Sequence, residues 1–196
     1  MGSSDRRLDA AALRDWAHTA VSDLITHIDE INRLNVFPVA DSDTGANMLF
    51  TMRSALAQVG SAASSGAGSS NVVQVAAALS AGALNGARGN SGVILSQILR
   101  GFAESLDSDT TAGPADLAGA LAVADRLATA AVSEPVAGTM LTVLHAAACA
   151  AEDDRYRPLA EQLHAVAESA GRALADTPRQ LAVLSRAGVV DAGAQG

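Results

Sequence analysis

The chain contains no lysine. All 13 of its basic residues are arginine, against 21 acidic residues, and the net charge is −8. Two common nucleotide sites are excluded by that absence: a P-loop ends in the lysine of Gly-Lys-Ser/Thr, and a protein kinase places a strand lysine on the phosphates. Any phosphate held here must rest on metal ions, arginine and backbone N–H groups. The acidic balance argues against a nucleic-acid partner, because like charges repel a polyanion; ATP stays admissible because magnesium offsets its charge. Cysteine is nearly absent too. Cys149 stands alone, so no disulfide framework or cysteine-built zinc cluster can form within one chain. It lies in the alanine-rich run 146–151 and is expected in the core, where free cysteine usually sits. No apolar run is long enough to span a membrane. The polar, charged N-terminus carries no secretory signal, so the expected compartment is a reducing cytoplasm.

Aromatic residues make up 3% of the chain, although 49% of it is apolar. The apolar content is mostly alanine, leucine and valine, which favours an all-α domain whose helices pack closely through small side chains. Leu8, Leu13, Trp16, Val21, Leu24, Ile25, Ile28 and Ile31 recur at helical spacing and predict an amphipathic helix over 8–31. A second helix follows Gly45, carrying Met48, Leu49, Met52, Leu56 and Val59. Residues 60–70 read as a glycine- and serine-rich surface loop. Further helices are expected over 71–85, 91–105, 114–132, 138–152, 157–175 and 178–187, with Pro114, Pro135 and Pro178 punctuating them. The end, 187–196, reads as a loop entering another helix, which suggests one domain cut from a longer chain.

Four segments carry chemistry. In Asn35-Val-Phe-Pro-Val-Ala-Asp41-Ser42-Asp43-Thr44-Gly45-Ala46-Asn47, the carboxylates of Asp41 and Asp43 are two residues apart after a proline that forces extended backbone. Carboxylates at i and i+2 can point the same way and share a cation; magnesium suits such a pair because it keeps water and phosphate oxygens as its other ligands. A calcium EF-hand does not fit, since Ala46 and Met52 stand where its glycine and glutamate belong. The plainer alternative makes Asp43 a helix cap. In Gly86-Ala-Arg88-Gly89-Asn90-Ser91-Gly92, a glycine-rich turn opens a helix, whose free N–H groups and dipole attract an anion. Ser91 can donate its hydroxyl and Arg88 a full charge, or Asn90 or Ser91 can simply cap. Glu134-Pro135-Val-Ala-Gly138-Thr139-Met140 opens another apolar helix, with a hydroxyl at Thr139 and a soft face for a flat ring at Met140. Asp191, in the turn Asp191-Ala-Gly193-Ala-Gln-Gly196, is either an acceptor for ribose or base or another cap. His18, His27, His145 and His164 form no zinc pattern, and no Gly-x-Ser-x-Gly elbow supports a serine hydrolase.

Together these segments resemble the DAK2 family, the ATP-binding module of dihydroxyacetone kinases, and in particular the N-terminal domain of bacterial fatty acid kinases. The resemblance is carried by Leu34 to Met48, by the seventeen residues from Gly86 to Phe102, by Pro135 to Val143 and by Ala187 to Gly196. It implies an antiparallel eight-helix barrel that binds ATP at one end through inter-helix loops, as a single DAK2-like domain over 1–196 without the middle and DegV-like C-terminal domains. It further implies two magnesium ions on Asp41 and Asp43, with Asn35 in place of a third aspartate. The phosphates would lie on Asn90, Ser91 and Gly92 near Thr44 and Asn47, and Gly138, Thr139, Met140 and Asp191 would border the nucleoside. The implied reaction moves the γ-phosphoryl group of ATP to a fatty-acid carboxylate presented by a DegV-like fatty-acid-binding protein. Arg88 is the candidate for steadying charge on the transferred group, and a homodimer is expected of the full-length protein.

Several positions depart from the family pattern. Ala40, Ser42 and Ala46 replace a proline, a glycine and a threonine; Ala137 replaces a glutamate and Ala194 a glycine. If position 42 has positive φ, serine there costs about 1 kcal/mol. Two other readings stay open: a kinase acting on a small ketose such as dihydroxyacetone, and a nucleotide-binding module without catalysis.

Overall fold

The computed structural model describes residues 7–64, 71–107 and 111–196. Among the described residues the chain is all-α apart from one short pair of strands. β1 (Leu8–Asp9) pairs antiparallel with β2 (Thr111–Ala112), Leu8 opposite Ala112 and Asp9 opposite Thr111. The helices are α1 (Ala10–Leu34), α2 (Thr44–Ser64), α3 (Val72–Gly86), α4 (Gly89–Ser105), α5 (Pro114–Ala130), α6 (Met140–Asp153), α7 (Leu159–Gln180), α8 (Ala182–Ala187) and α9 (Ala192–Gln195).

Their starts follow local chemistry. Asp9 accepts from the Ala12 N–H at 2.8 Å to open α1, and Asn71 accepts from the Gln74 N–H at 2.8 Å to open α3. Pro114 takes the first position of α5, where its missing N–H costs nothing, and Asp116 reaches back to the Gly113 N–H at 2.6 Å.

Consecutive helices from α1 to α8 pack against one another, and the short α9 lies against α1, α2 and α6. The interfaces are close because the buried residues are small: Ala17, Ala55, Ala83, Ala118, Ala124, Ala128 and Ala151 have no exposed surface. At Gly101 a side chain would meet the Ala124 backbone nitrogen at 2.5 Å, so α4 and α5 approach as they do only because that position has no Cβ. Gln162, fully buried on α7, donates to the carbonyls of Pro114 and Ala151 and ties α5 and α6 to α7.

Several expectations are corrected. α2 extends to Ser64 through part of the expected 60–70 loop, and 65–70 lie outside the described residues. Pro178 does not start a helix; it lies inside α7. Its missing N–H leaves the Leu174 carbonyl without a helical donor, and the Thr177 hydroxyl fills that place at 2.8 Å. Trp16 and Ile25 face out, about half exposed, because α1 buries the line Leu13, Ala17, Leu24 and Ile31 instead. Cys149 is exposed rather than buried: α6 turns Leu141, Leu144, Ala148 and Ala151 inward, and position 149 falls on the opposite face with His145.

Candidate functional site

The loop 35–43, the starts of α2, α4 and α6, the segment 131–134 and the turn before α9 surround one open cavity of about 610 Å³. Asn35, Asp41, Asp43, Thr44, Asn47, Asn90, Ser91, Thr139, Met140 and Asp191 all line it, although they come from four separate stretches of chain. Among the described residues, its acidic side chains are Asp41, Asp43, Glu134 and Asp191, and no arginine lines it. Apolar residues, including Phe37, Val93, Ile94 and Val136, supply much of the remaining wall.

α1 ends at Leu34, and the chain crosses to α2 through Asp41, Ser42 and Asp43. Asn35 is 5% exposed and donates through Nδ2 to Asp41 Oδ1 at 2.7 Å, which fixes that carboxylate, while its second oxygen has no partner among the described residues. Asp43 sits where a cap for α2 is expected, yet the cap comes from elsewhere. Asn32 Oδ1, on the last turn of α1, accepts from the Gly45 N–H at 2.8 Å and the Ala46 N–H at 3.3 Å. Gly45 makes this possible: a Cβ there would meet the Ile28 carbonyl oxygen at 2.8 Å and Asn32 Oδ1 at 3.1 Å. With the helix capped by Asn32, the Asp43 carboxylate makes no hydrogen bond or ion pair among the described residues.

Ser42, between the two aspartates, has φ of 57°, in the left-handed region where a side chain is disfavoured. Ser42→Gly is therefore expected to stabilise the fold by about 1 kcal/mol. A higher denaturant midpoint with an unchanged slope would show it, whereas an unchanged or lower midpoint would count against strain at this turn.

Gly89, Asn90 and Ser91 form the first turn of α4, so Arg88 rather than Asn90 or Ser91 occupies the cap position, without a capping side-chain bond. The backbone N–H groups of 89–91 make no hydrogen bond among the described residues and stand at the positive end of a 17-residue helix. Three sequence candidates do not reach the lining. The Arg88 guanidinium lies 3.6 Å over the Phe50 ring. Gly92 is buried, its N–H bonded to the Arg88 carbonyl at 3.0 Å. Gly138, with φ of 79°, turns the chain into α6 and donates to the Thr142 hydroxyl at 3.0 Å.

At the far edge, the Thr139 hydroxyl donates to the Val136 carbonyl at 2.8 Å. Asp191 Oδ2 accepts from the Met140 N–H and the Ala194 N–H, both at 3.0 Å, capping α6 across the fold and α9 locally. The Asp191 N–H is itself held by the Thr177 hydroxyl at 3.1 Å. Burial raises the Asp191 carboxyl above its ordinary value, against the lowering effect of the N–H groups of Ala194, Met140 and Gly193. An acid raised in the folded state stabilises fully below its unfolded value of 3.8 and progressively less as pH rises through the folded value. Since asparagine keeps an acceptor but cannot ionise, the stability of the wild type relative to Asp191→Asn should fall as pH rises from 3.8 toward neutrality. Parallel denaturant midpoints across that range check this; a constant difference would contradict it.

The residue that sequence reasoning missed is Asn32. Its partners lie 13 and 14 residues on, and nothing local in α1 announces them. Glu134, just before Pro135, also lines the cavity, with no sequence motif to announce it.

Among the described residues no group of three or more histidine, cysteine, aspartate or glutamate side chains comes together as a metal site. The donor set nonetheless suits magnesium: two carboxylates without protein cations, in a cavity open to solvent, leave room for water and phosphate ligands. No helix among the described residues is long and apolar enough to cross a membrane.

A family model, the DAK2 domain, matches residues 38–196. The chain is 38% identical to protein YloV of Bacillus subtilis over 195 residues, covering 98% of this chain and 34% of that protein. It is 36% identical to an uncharacterized protein of Staphylococcus epidermidis over 192 residues, covering 97% and 34%, and an uncharacterized protein of Staphylococcus aureus matches to the same extent. The chain thus spans about a third of the length of these curated relatives. The match over most of its length, with the four segments converging on one cavity, identifies the chain as a member of the DAK2 domain family, a kinase-related group.

Proposed function

We propose that the chain is an ATP- and magnesium-dependent kinase domain that transfers the γ-phosphoryl group of ATP to a fatty-acid carboxylate presented by a DegV-like fatty-acid-binding protein, giving an acyl phosphate. The observation that carries this reading is the charge of the cavity. Asp41 and Asp43 share it with the free N–H groups of 89–91, and no basic side chain among the described residues lines it. Such a cavity repels a bare polyphosphate and accepts one that arrives with divalent cations.

Asp41 and Asp43 are the residues that would hold magnesium, with Asn35 fixing Asp41. When bound, magnesium neutralises charge on the phosphate oxygens. The N–H groups of 89–91 and the Ser91 hydroxyl cradle the phosphates from the other side, as free helix starts do. Thr44 and Asn47 stand beside them, and Thr139 and Met140 border the nucleoside, with Asp191 bracing Met140 through its N–H. Since a carboxylate acceptor is already an anion, no general base is needed; positioning and charge neutralisation carry the reaction. The fatty-acid assignment is supported by the Asn35–Pro38 form of the first segment, and the match to a kinase-related family supports the transfer.

The test is phosphoryl transfer from labelled ATP. Acyl phosphate should form when a fatty-acid-loaded DegV-like protein is supplied and not with the empty carrier. Phosphorylation of dihydroxyacetone without turnover of the loaded carrier would reassign the substrate to a small ketose, and ATP binding without either transfer would leave a nucleotide-binding module.

A further inference from the structure

Away from the cavity, the chain's one thiol belongs to a three-residue relay. Asp125 Oδ2 on α5 lies 2.8 Å from His145 Nδ1 on α6, and His145 Nε2 lies 3.6 Å from Cys149 Sγ. Residues 145 and 149 are four apart on one helix and share a face. The carboxylate sets the tautomer: an ionised aspartate only accepts, so the Nδ1 proton points at Asp125, and the neutral ring keeps its lone pair on Nε2, facing the thiol. Cys149 and His145 are both exposed, so the relay is open to reagents. Beside the thiol, between α6 and α7, is a groove of about 390 Å³ lined by Asp153, Asp154, Glu168 and Arg172. Arg157 pairs with Asp154 at 3.0 Å and Arg172 with Glu168 at 3.8 Å, which leaves Asp153 as the lining carboxylate with no ion pair among the described residues.

We propose that Cys149 is a modification site: a nucleophilic thiol with His145 as its general base and Asp125 as the residue that positions the base, forming mixed disulfides with small cationic disulfides. In the step, Sγ attacks one sulfur of the incoming disulfide and its proton passes to His145 Nε2. The Cys149–sulfur bond forms as the disulfide bond breaks, and the leaving thiolate takes the proton from His145 and departs as a thiol. One thiol and one disulfide go in, and one mixed disulfide and one thiol come out. The net acidity of the groove selects ammonium-bearing reagents over anionic ones.

The experiment measures, by intact-mass spectrometry, exchange rates with cystamine and with glutathione disulfide for the wild type, His145→Gln, Asp125→Asn and Asp125→Glu. Each rate is divided by that of a short unstructured cysteine peptide. The wild type should exceed the peptide, and His145→Gln should react about 100-fold more slowly, the lower end of what a positioned base contributes. Asp125→Asn should slow exchange similarly and Asp125→Glu restore most of it. The imidazole nitrogen shifts of His145 should report the Nδ1–H tautomer in the wild type and lose it in Asp125→Asn. A wild-type rate equal to the peptide's, or one unchanged in His145→Gln, would overturn the assignment. Equal normalised rates for the two disulfides would overturn the charge selectivity of the groove.

Discussion

Asp41→Asn and Asp43→Asn should each weaken binding of magnesium-loaded ATP about 100-fold, or ~2.7 kcal/mol, while leaving the fold intact. Asparagine preserves shape and removes only the charge that would hold the cation. Both side chains are exposed, and Asp43 does not cap α2, so neither substitution should disturb packing. The same substitutions should act in the opposite direction on ATP without metal. With one of the four cavity carboxylates neutralised, a bare polyphosphate meets less repulsion and should bind somewhat better than to the wild type. Titration calorimetry of each variant, with magnesium and with chelator, reads both effects. Unchanged affinity for magnesium-loaded ATP in both variants would remove the metal assignment, and a large drop in unfolding midpoint would return Asp43 to a capping role.

Asn32→Ala should destabilise the domain by about 1–2 kcal/mol, the loss expected when a helix cap is removed, and should weaken nucleotide binding along with it. The reason lies in what the first turns of α2 carry: Asp43 just before it, then Thr44 and Asn47, all on the cavity. Freed from Asn32, the Gly45 and Ala46 N–H groups have no other acceptor among the described residues except Asp43 at the cap position, whose carboxylate would be drawn toward them. Gly45→Ala should reach a similar state by crowding, at about 1–3 kcal/mol, since its new methyl group meets both the Ile28 carbonyl and Asn32 Oδ1. Because both changes break one interaction, the double variant should lose less than the sum of the two. Asn32→Asp should recover stability, its carboxylate accepting the same N–H groups and complementing the helix dipole. Denaturant midpoints and calorimetric affinities decide it: an Asn32→Ala midpoint equal to that of the wild type would refute the cap across helices.

Most of the fold was legible because its signals are local. The helices expected over 71–85, 91–105 and 114–132 lie within a few residues of α3, α4 and α5, and Asp9, Asn71 and Pro114 act at starts that sequence chemistry explains. The misreadings came where a distant or neighbouring group overrides a local rule. Pro178 ends helices in general, but the Thr177 hydroxyl repairs the carbonyl it orphans. Cysteine is usually buried, but the phase of α6 puts Cys149 outside. The site divides in the same way. Its residue types and glycine-rich turns were readable, and so was their likeness to one family. That Asp43 is spared local capping work was not, because the N–H groups it would serve are taken by Asn32 from another helix. Arg88 looked like a phosphate ligand by its neighbours, and only the fold brings Phe50 beneath it.

The central claim is that this acidic cavity takes ATP only together with a divalent cation. Calorimetric titration of ATP into the wild-type domain, once with magnesium in excess and once with chelator, tests it most directly. Saturable binding with magnesium that vanishes with chelator is the expected result; equal affinity in both titrations would contradict it.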